Sequence, residues 1–250
     1  MSGKLSGRTA LVTGGSRGIG AAIVTAFAAE GADVAFCHDD DEAGAAEVAT
    51  AVRTAGRRVL AVRCDVTDDG AVRAFFARAE RELGAVDILV NNAGIGGETP
   101  FEAIGLDTFD RMIAVNLRAL FHLAQLAAPG MRARGWGRII NIASQLAYLG
   151  APGLVHYCAA KAGVLGLTRA LAVELAQDGV LVNAIAPGLV DTRLSDDLTP
   201  EWKRWKLGRL PLGRFGRPCE IAPTAVLLAS ADGDFYVGQT LSPNGGDLFL

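Results

Sequence analysis

The feature that most restricts the fold of this chain is a regular alternation of short apolar runs with longer segments of helical periodicity. The predicted strands are Thr9–Thr13, Ala32–Cys37, Val59–Arg63, Ile88–Asn91, Gly137–Ile142, Leu181–Ala186 and a short one from Thr240. The predicted helices are Gly18–Glu30, Ala43–Ala55, Asp69–Leu83, Leu106–Met131, His156–Leu175 and Glu220–Ala229. Apolar strands that alternate with helices are buried on both faces, so the pattern predicts a doubly wound parallel α/β sheet. We expect about seven strands in one domain that spans residues 1–250.

Residues 191–218 interrupt this rhythm with a charged segment that contains Trp202 and Trp205. A segment of this length without regular elements is either a functional lid or a disordered loop. The two tryptophans favour the first interpretation, a lid that covers the substrate.

The composition excludes several classes of protein. Half of the residues are hydrophobic, which excludes a disordered chain, and no charge-free apolar run is long enough to cross a membrane. The net charge of −3 argues against a nucleic-acid or membrane-surface partner. The N-terminus lacks the pattern of a signal peptide, so a cytoplasmic location is expected. The four cysteines and three histidines have no metal-ligand spacing, and no metal is predicted.

A glycine-rich turn, Thr13-Gly14-Gly15-Ser16-Arg17-Gly18-Ile19-Gly20, follows the first strand and opens the first helix. Glycines let the backbone approach a pyrophosphate, and the free amides of the helix N-terminus face its negative charge. A glycine turn alone is a weak signal, but this position after a buried strand predicts a dinucleotide site.

Further motifs follow in order along the chain. Asp65 comes after the third strand and Asn91-Asn92-Ala93-Gly94 after the fourth, and Pro187-Gly188 with Thr192 follow the sixth. Tyr157 and Lys161 lie four residues apart, and Ser144 and Asn116 precede them. With the Gly-x3-Gly-x-Gly spacing of the turn, these motifs resemble the classical short-chain dehydrogenase/reductase family over essentially the whole chain. The similarity is strongest to its 3-oxoacyl-carrier-protein reductase-like members.

The resemblance implies a single-domain Rossmann fold and an NAD(P)(H)-dependent oxidoreductase that interconverts a ketone and a secondary alcohol by hydride transfer. It also implies a homotetramer or homodimer. The cofactor-binding residues that it implies are Gly14, Ser16, Arg17, Gly18, Ile19, Gly20, His38, Asp65, Val66, Asn92, Ala93, Gly94, Tyr157, Lys161, Pro187, Gly188, Val190 and Thr192.

Four residues carry the predicted chemistry. Tyr157 and Lys161 project from one face of a helix, where the ammonium is expected to lower the pKa of the phenol toward a useful range. Ser144 follows a strand at its carboxyl end, where open α/β sheets bind ligands. Asn116 lies in a predicted helix although asparagine is a poor helix former, which suggests a site.

The family resemblance assigns each of these residues a role. Ser144 would orient the substrate oxygen, Tyr157 would exchange the proton, Lys161 would bind the nicotinamide ribose, and Asn116 would hold a water of the proton path. The alternative is a catalytically silent dinucleotide sensor, which would be expected to lack one of the four residues.

The sequence does not identify the substrate. The residues predicted to line its pocket are Gln145, Leu146, Tyr148, His156, Leu189, Trp202 and Trp205. A mostly apolar pocket of this kind fits a ketone, a secondary alcohol, a 3-oxoacyl thioester or a polyol. Lys203, Arg204, Lys206 and Arg209 form either a site for the phosphopantetheine of a carrier protein or a solvated helix face.

The choice of dinucleotide depends on the end of the second strand. His38 stands where the family's NAD-selecting aspartate falls, and Arg17 adds a positive charge in the glycine turn, which together favour NADP(H). The acidic run Asp39-Asp40-Asp41 opposes this, so NAD(H) is the alternative.

Overall fold

The computed structural model describes residues 3–193 and 200–249, apart from the side chains of residues 200 and 202. Within these ranges seven parallel strands form one sheet in the order β3-β2-β1-β4-β5-β6-β7. The strands are β1 (Thr9–Thr13), β2 (Asp33–His38), β3 (Val59–Arg63), β4 (Ile88–Asn91), β5 (Gly137–Ile142), β6 (Val180–Ile185) and β7 (Thr240–Leu241). The predicted doubly wound Rossmann fold is confirmed.

The α-helices of the described residues cover both faces of this sheet. They are α1 (Gly18–Ala29), α2 (Glu42–Thr54), α3 (Asp69–Leu83), α4 (Leu106–Ile113), α5 (Ala119–Arg134), α6 (Leu146–Leu149), α7 (Val155–Leu175), α8 (Pro200–Leu207) and α9 (Pro218–Ala229). Helices α1, α2 and α9 pack on one face, and α3, α5 and α7 pack on the other. Alternate strand residues therefore enter different cores: Val12 and Phe36 face α1, whereas Leu11 and Ala35 face α3.

The strand order reverses between β1 and β4, and ligands of open α/β sheets bind at such a switch point. Here the Thr13 hydroxyl accepts hydrogen bonds from the backbone amides of Asn92 (3.0 Å) and Ala93 (2.9 Å). The Asn92 side chain donates in turn to the carbonyl oxygens of Thr13 and Gly14. These bonds fix the glycine turn against the end of β4.

The single helix predicted over Leu106–Met131 is interrupted. A π-helical turn, Ala114–Arg118, separates α4 from α5 and contains Asn116. Single π turns often occur at functional sites. The segments on both sides of the turn are helical, so their combined pattern predicted one helix and missed the interruption.

The predicted lid region contains helix α8, whereas residues 194–199 lie outside the described part. Across the residues described, no helix has the length and apolar character that a membrane crossing needs. The same residues contain no cluster of three or more histidine, cysteine or acidic side chains suited to a metal ion.

Candidate active site

The glycine turn between β1 and α1 has the space and the conformation that a pyrophosphate needs. Gly14 and Gly18 have φ values of 64° and 57°, in the left-handed region that favours glycine. A Cβ on Gly20 would lie 2.0 Å from the carbonyl oxygen of Gly14, and one on Gly15 would lie 2.6 Å from Phe36. The first turn of α1 has no acidic residue to compete for its free amides. The turn therefore fits the phosphate groups of a dinucleotide.

Arg17 lies at the start of α1 and is paired with two carboxylates from the loop after β2. Its Nη2 is 2.6 Å from Oδ1 of Asp40, and its Nε is 3.5 Å from Oδ2 of Asp41. The hydrogen bond from Arg17 and its charge hold the pKa of the Asp40 carboxyl below its usual range. Asp41 also caps α2 by accepting from the Gly44 amide. The acidic run after His38 thus reaches the glycine turn itself.

His38, predicted to bind the cofactor, is buried against α2. Its Nε2 lies 3.7 Å from the carboxylate of Glu42, and the residue lines a cavity of about 300 Å³ between α2 and β3. The side chain shares the face of β2 that Phe36 presents to the glycine turn.

Asp65 and Val66, two of the residues predicted to bind the cofactor, follow β3. The Asp65 Oδ1 accepts from the amide and the hydroxyl of Thr67, both at 2.8 Å, while Oδ2 lies 3.4 Å from Arg111. Burial raises the pKa of Asp65, but the Thr67 hydrogen bonds and the Arg111 charge outweigh it and lower the pKa. A carboxylate in this state is an acceptor, as recognition of an amino group requires.

Tyr157 and Ser144 meet at the carboxyl end of β5. Burial raises the pKa of Tyr157 to about 12, although a hydrogen bond with Ser144 acts in the opposite direction. The sequence-based expectation of a lowered pKa is therefore wrong for this structure. The phenol is almost fully buried, and burial raises its pKa by more than the Ser144 hydrogen bond lowers it.

Lys161 is buried on the same face of α7. Its Nζ donates to the carbonyl oxygen of Ile142 at 2.8 Å and lies 5.8 Å from the centre of the Tyr157 ring. Burial lowers the pKa of Lys161 to about 8. The predicted i, i+4 juxtaposition is present, but the ammonium is bonded to β5 and does not contact the phenol directly.

Asn116 faces this pair from the π-helical turn. Its Nδ2 donates to the carbonyl oxygens of Ile95 (3.1 Å) and Met112 (3.2 Å), which leaves Oδ1 buried without a partner among the described residues. A Cβ on Gly94 would lie 2.8 Å from this Oδ1 and 3.6 Å from the Lys161 Nζ. The absence of a side chain at position 94 thus leaves both the Asn116 acceptor and the Lys161 ammonium close to the Gly94 backbone.

The loop after β6 lies against both the loop after β5 and the glycine turn. The Pro187 carbonyl accepts from the Gln145 amide, and a Cβ on Gly18 would lie 3.3 Å from Thr192. Val190 is buried and pairs with Gly216. The structure therefore brings together the glycine turn, the end of β4, the four predicted catalytic residues and the loop after β6.

The residues predicted to bind substrate are distributed more widely. Leu146 packs with Tyr157, and the Leu189 carbonyl accepts from Gly216. Trp205 is half-exposed on α8 and stacks with Arg209, and the Trp202 side chain lies outside the described part.

His156 lines a cavity of about 340 Å³ that is separate from the one beside His38. Ile95 and the α4 residues Asp107 and Arg111 also line it. The His156 Nδ1 is buried and has no partner in the described ranges.

Gln145 and Lys206 share a partner that the sequence analysis missed. Both donate to Asp247 near the C-terminus, and Lys206 is largely buried. One of the two sequence-based interpretations placed Lys206 on a solvated helix face. For Lys206 that interpretation is wrong, because its side chain is largely buried. No local pattern links positions 145, 206 and 247, so no sequence signal could have found this cluster.

Comparison with known proteins places the chain in a family. A family model described as enoyl-(acyl carrier protein) reductase matches residues 14–247. The 3-oxoacyl-[acyl-carrier-protein] reductase FabG of Staphylococcus aureus is 38% identical over 239 residues, which cover 96% of this chain and 97% of the relative. A solved short-chain dehydrogenase/reductase of Serratia marcescens is 40% identical with a TM-score of 0.92, covering 98% of this chain and 99% of that one. The chain belongs to the short-chain dehydrogenase/reductase family.

The chain is also similar to a solved blue fluorescent protein from a metagenomic library in complex with NADPH, with a TM-score of 0.92 and 39% identity, covering 98% of this chain and all of that one (100%). Membership in the short-chain dehydrogenase/reductase family confirms the resemblance seen in the sequence. It also confirms the predicted enzyme class, an NAD(P)-dependent oxidoreductase acting on carbonyl or secondary alcohol groups.

Proposed function

We propose that this enzyme reduces the ketone of a 3-oxoacyl thioester with NADPH, with Tyr157 as the proton donor. The observation that carries the proposal is the convergence of Ser144, Tyr157, Lys161 and Asn116 beside the glycine turn. The presence of all four residues at one site argues against a catalytically silent sensor, which has no need of them.

Tyr157 is suited to act as a general acid. Its raised pKa keeps the phenol protonated at neutral pH, so it can donate a hydrogen bond and then the proton to a substrate oxygen. Ser144, bonded to the same phenol, orients that oxygen. The nicotinamide, when bound, supplies the hydride for the carbonyl carbon.

Lys161 and Asn116 act after the proton has left Tyr157. A buried phenolate needs a nearby positive charge, and the Lys161 ammonium is the cation placed on its side of α7. The free Asn116 Oδ1 faces Lys161 past Gly94, so a water held there would connect the lysine to a proton path. Lys161 would also reach the ribose of the cofactor.

NADP(H) is the proposed cofactor, with NAD(H) as the alternative. The turn geometry accommodates a dinucleotide, and Arg17 supplies a guanidinium that suits the 2′-phosphate. The NADPH-bound relative supports this preference. Asp40, which already pairs with Arg17, opposes it.

The 3-oxoacyl substrate is proposed because the Staphylococcus aureus relative carries that activity in its name. A small ketone or a polyol is the alternative within the same chemistry. The test is the loss of NADPH absorbance on mixing the enzyme with acetoacetyl-CoA, the smallest 3-oxoacyl-CoA thioester, and with a panel of simple ketones. Turnover of acetoacetyl-CoA above that of the ketones supports the proposal. Turnover of ketones alone would refute the thioester assignment, and no NADPH or NADH oxidation at all would refute the proposed activity.

Self-association and a cytoplasmic location complete the proposal. Phe235 is fully exposed (100%) and Phe249 is 85% exposed, which supports burial against a second copy of the chain. The four cysteines are free, as is usual in a reducing compartment. Light scattering coupled to gel filtration gives the oligomeric state directly, and a monomer at micromolar concentration would contradict the expected dimer or tetramer.

A further inference from the structure

A buried ion pair holds α8 next to the catalytic serine. The Lys206 Nζ lies 2.6 Å from Oδ2 and 2.8 Å from Oδ1 of Asp247, and the two side chains are only 13% and 9% exposed. The Gln145 Nε2 donates to the same Oδ2 at 2.5 Å. Gln145 directly follows Ser144 in the chain. The three residues, here called the 145–206–247 cluster, join the loop after β5 to α8 and to the C-terminal segment.

Asp247 is itself held in place by the backbone around it. The Gly188 amide donates to the Pro243 carbonyl, and the Leu212 amide donates to the Gly245 carbonyl. Asn244 closes the C-terminal turn by accepting from the Gly246 amide and donating to the Leu248 carbonyl. The carboxylate therefore has a fixed position relative to the loop after β6 and to α8.

Asp247 dictates the orientation of the Gln145 amide. A carboxylate only accepts hydrogen bonds, so the NH₂ group of Gln145 must face Asp247 and the carbonyl oxygen must face away. This Oε1 is buried and has no partner in the described part of the chain. A buried acceptor without a donor is costly, and proteins retain one where a ligand completes it.

We propose that Gln145 determines substrate specificity by accepting, through Oε1, a hydrogen bond from a hydroxyl or amide N–H carried by the carbonyl substrate. Asp247 is a positioning residue that fixes the amide, and Lys206 holds Asp247 in place. The inference rests on the proposed ketone reduction and adds to it the class of substrate: a ketone that bears a neutral hydrogen-bond donor. Lys206 also couples helix α8 to this selection.

The test compares substrates that differ in the donor. 4-Hydroxy-2-butanone carries a hydroxyl donor, the N-acetylcysteamine thioester of acetoacetate carries an amide donor, and 2-butanone and ethyl acetoacetate are their donor-free counterparts. The wild-type enzyme should have a higher kcat/KM for at least one donor-bearing substrate than for its donor-free counterpart. The pair that shows this preference identifies the preferred donor as a hydroxyl or an amide. Gln145→Met removes the amide at similar length and should reduce that preference about tenfold. The matched control Gln239→Met, at an exposed residue just before β7, should leave it unchanged.

A charge reversal separates positioning from mere structural support. In the double variant Lys206→Asp with Asp247→Lys, the cation at position 247 should turn the Gln145 amide over and present its NH₂ group instead. The preference should then move to a substrate that only accepts, such as 4-methoxy-2-butanone over 2-butanone. A uniform loss across all substrates would instead indicate a structural role and overturn the positioning of Gln145 by Asp247.

The two proposals fail in different ways. If the wild type reduces the N-acetylcysteamine thioester of acetoacetate and Gln145→Met leaves every ratio unchanged, the specificity inference is wrong and the proposed function stands. If the wild type oxidises neither NADPH nor NADH with any of these substrates, the proposed function fails and the inference fails with it.

Discussion

Lys161 donates to the backbone carbonyl of Ile142 at 2.8 Å, not to the phenol of Tyr157, which lies one helical turn away. The carbonyl belongs to the last residue of β5, two residues before Ser144. One hydrogen bond thus ties the catalytic helix to the strand that carries the serine. It also places a buried ammonium whose pKa, about 8, lies close to neutral pH.

This pKa predicts how reduction depends on pH. Tyr157 stays protonated up to a pKa of about 12, so its proton is available throughout the neutral range. The Lys161 ammonium, which stabilises the phenolate left behind, is lost as pH rises through about 8. We expect kcat/KM for reduction to be flat below pH 7 and to fall above pH 8. Oxidation of the alcohol should rise with pH, because the phenol must first lose its proton. A reduction profile that stays flat to pH 9.5 would contradict the role of Lys161.

Replacing Lys161 by methionine should stabilise the fold while abolishing activity. The pKa of Lys161 is lowered from 10.5 to about 8, so below pH 8 the lysine is charged in both states and the cost of burying it is fully present. That shift corresponds to roughly 3 kcal/mol, from which the lost bond to Ile142 subtracts about 1 kcal/mol. Thermal unfolding at pH 7 should show a gain of about 1–3 kcal/mol that shrinks between pH 8 and 10.5. Lys203→Met on α8 is the control and should change the free energy of unfolding little. A loss of stability at pH 7 would show that the buried charge is not a net cost.

Replacing Tyr157 by phenylalanine removes the proton donor and little else. We expect kcat to fall by about 10²–10⁴-fold while the affinity for NADPH, measured by its fluorescence, changes less than about threefold. Tyr236→Phe, before β7 and remote from the catalytic end, is the matched control and should behave as wild type. Substantial turnover by the Tyr157 variant would exclude this residue as the acid.

The parts of the site that the sequence predicted depend on local spacing. The glycine turn needs left-handed backbone within a few residues, and Tyr157 and Lys161 share a face because they are one turn apart. Both patterns depend only on the strand, turn or helix that contains them, and not on contacts with distant residues. The doubly wound parallel sheet could be predicted because apolar strands joined by helices have few right-handed arrangements.

The features that were missed depend on contacts between distant residues. The direction of the Tyr157 pKa shift is set by burial from α4, α6 and α7 together. The ion pair of Lys206 with Asp247 spans 41 residues. The Asn116 side chain, in the π-helical turn, donates to the Ile95 carbonyl of another segment. Neither residue type nor periodicity carries such information.

The Arg17–Asp40 pair predicts a specific change in cofactor preference. The guanidinium that would bind a 2′-phosphate is already bonded to a carboxylate at 2.6 Å, and both side chains are substantially exposed (39% and 63%). An exposed pair of this kind is weak, so a phosphate dianion can displace the carboxylate but must still bind close to its charge. Asp40→Asn removes the competitor and the repulsion, and it leaves the N-cap carboxylate of Asp41 intact.

We therefore expect the Kd of NADPH to fall about three- to tenfold in Asp40→Asn, with that of NADH nearly unchanged, when both are titrated by fluorescence at low salt. The gain should shrink as salt is raised, because the charges are exposed and screened. Asp191→Asn, an exposed aspartate in the loop after β6, is the matched control and should have a smaller effect. Arg17→Met should weaken NADPH binding and leave NADH binding nearly unchanged. An equal gain for both cofactors in Asp40→Asn would mean that the carboxylate acts on the shared pyrophosphate, and the assignment of Arg17 to the 2′-phosphate would then be wrong.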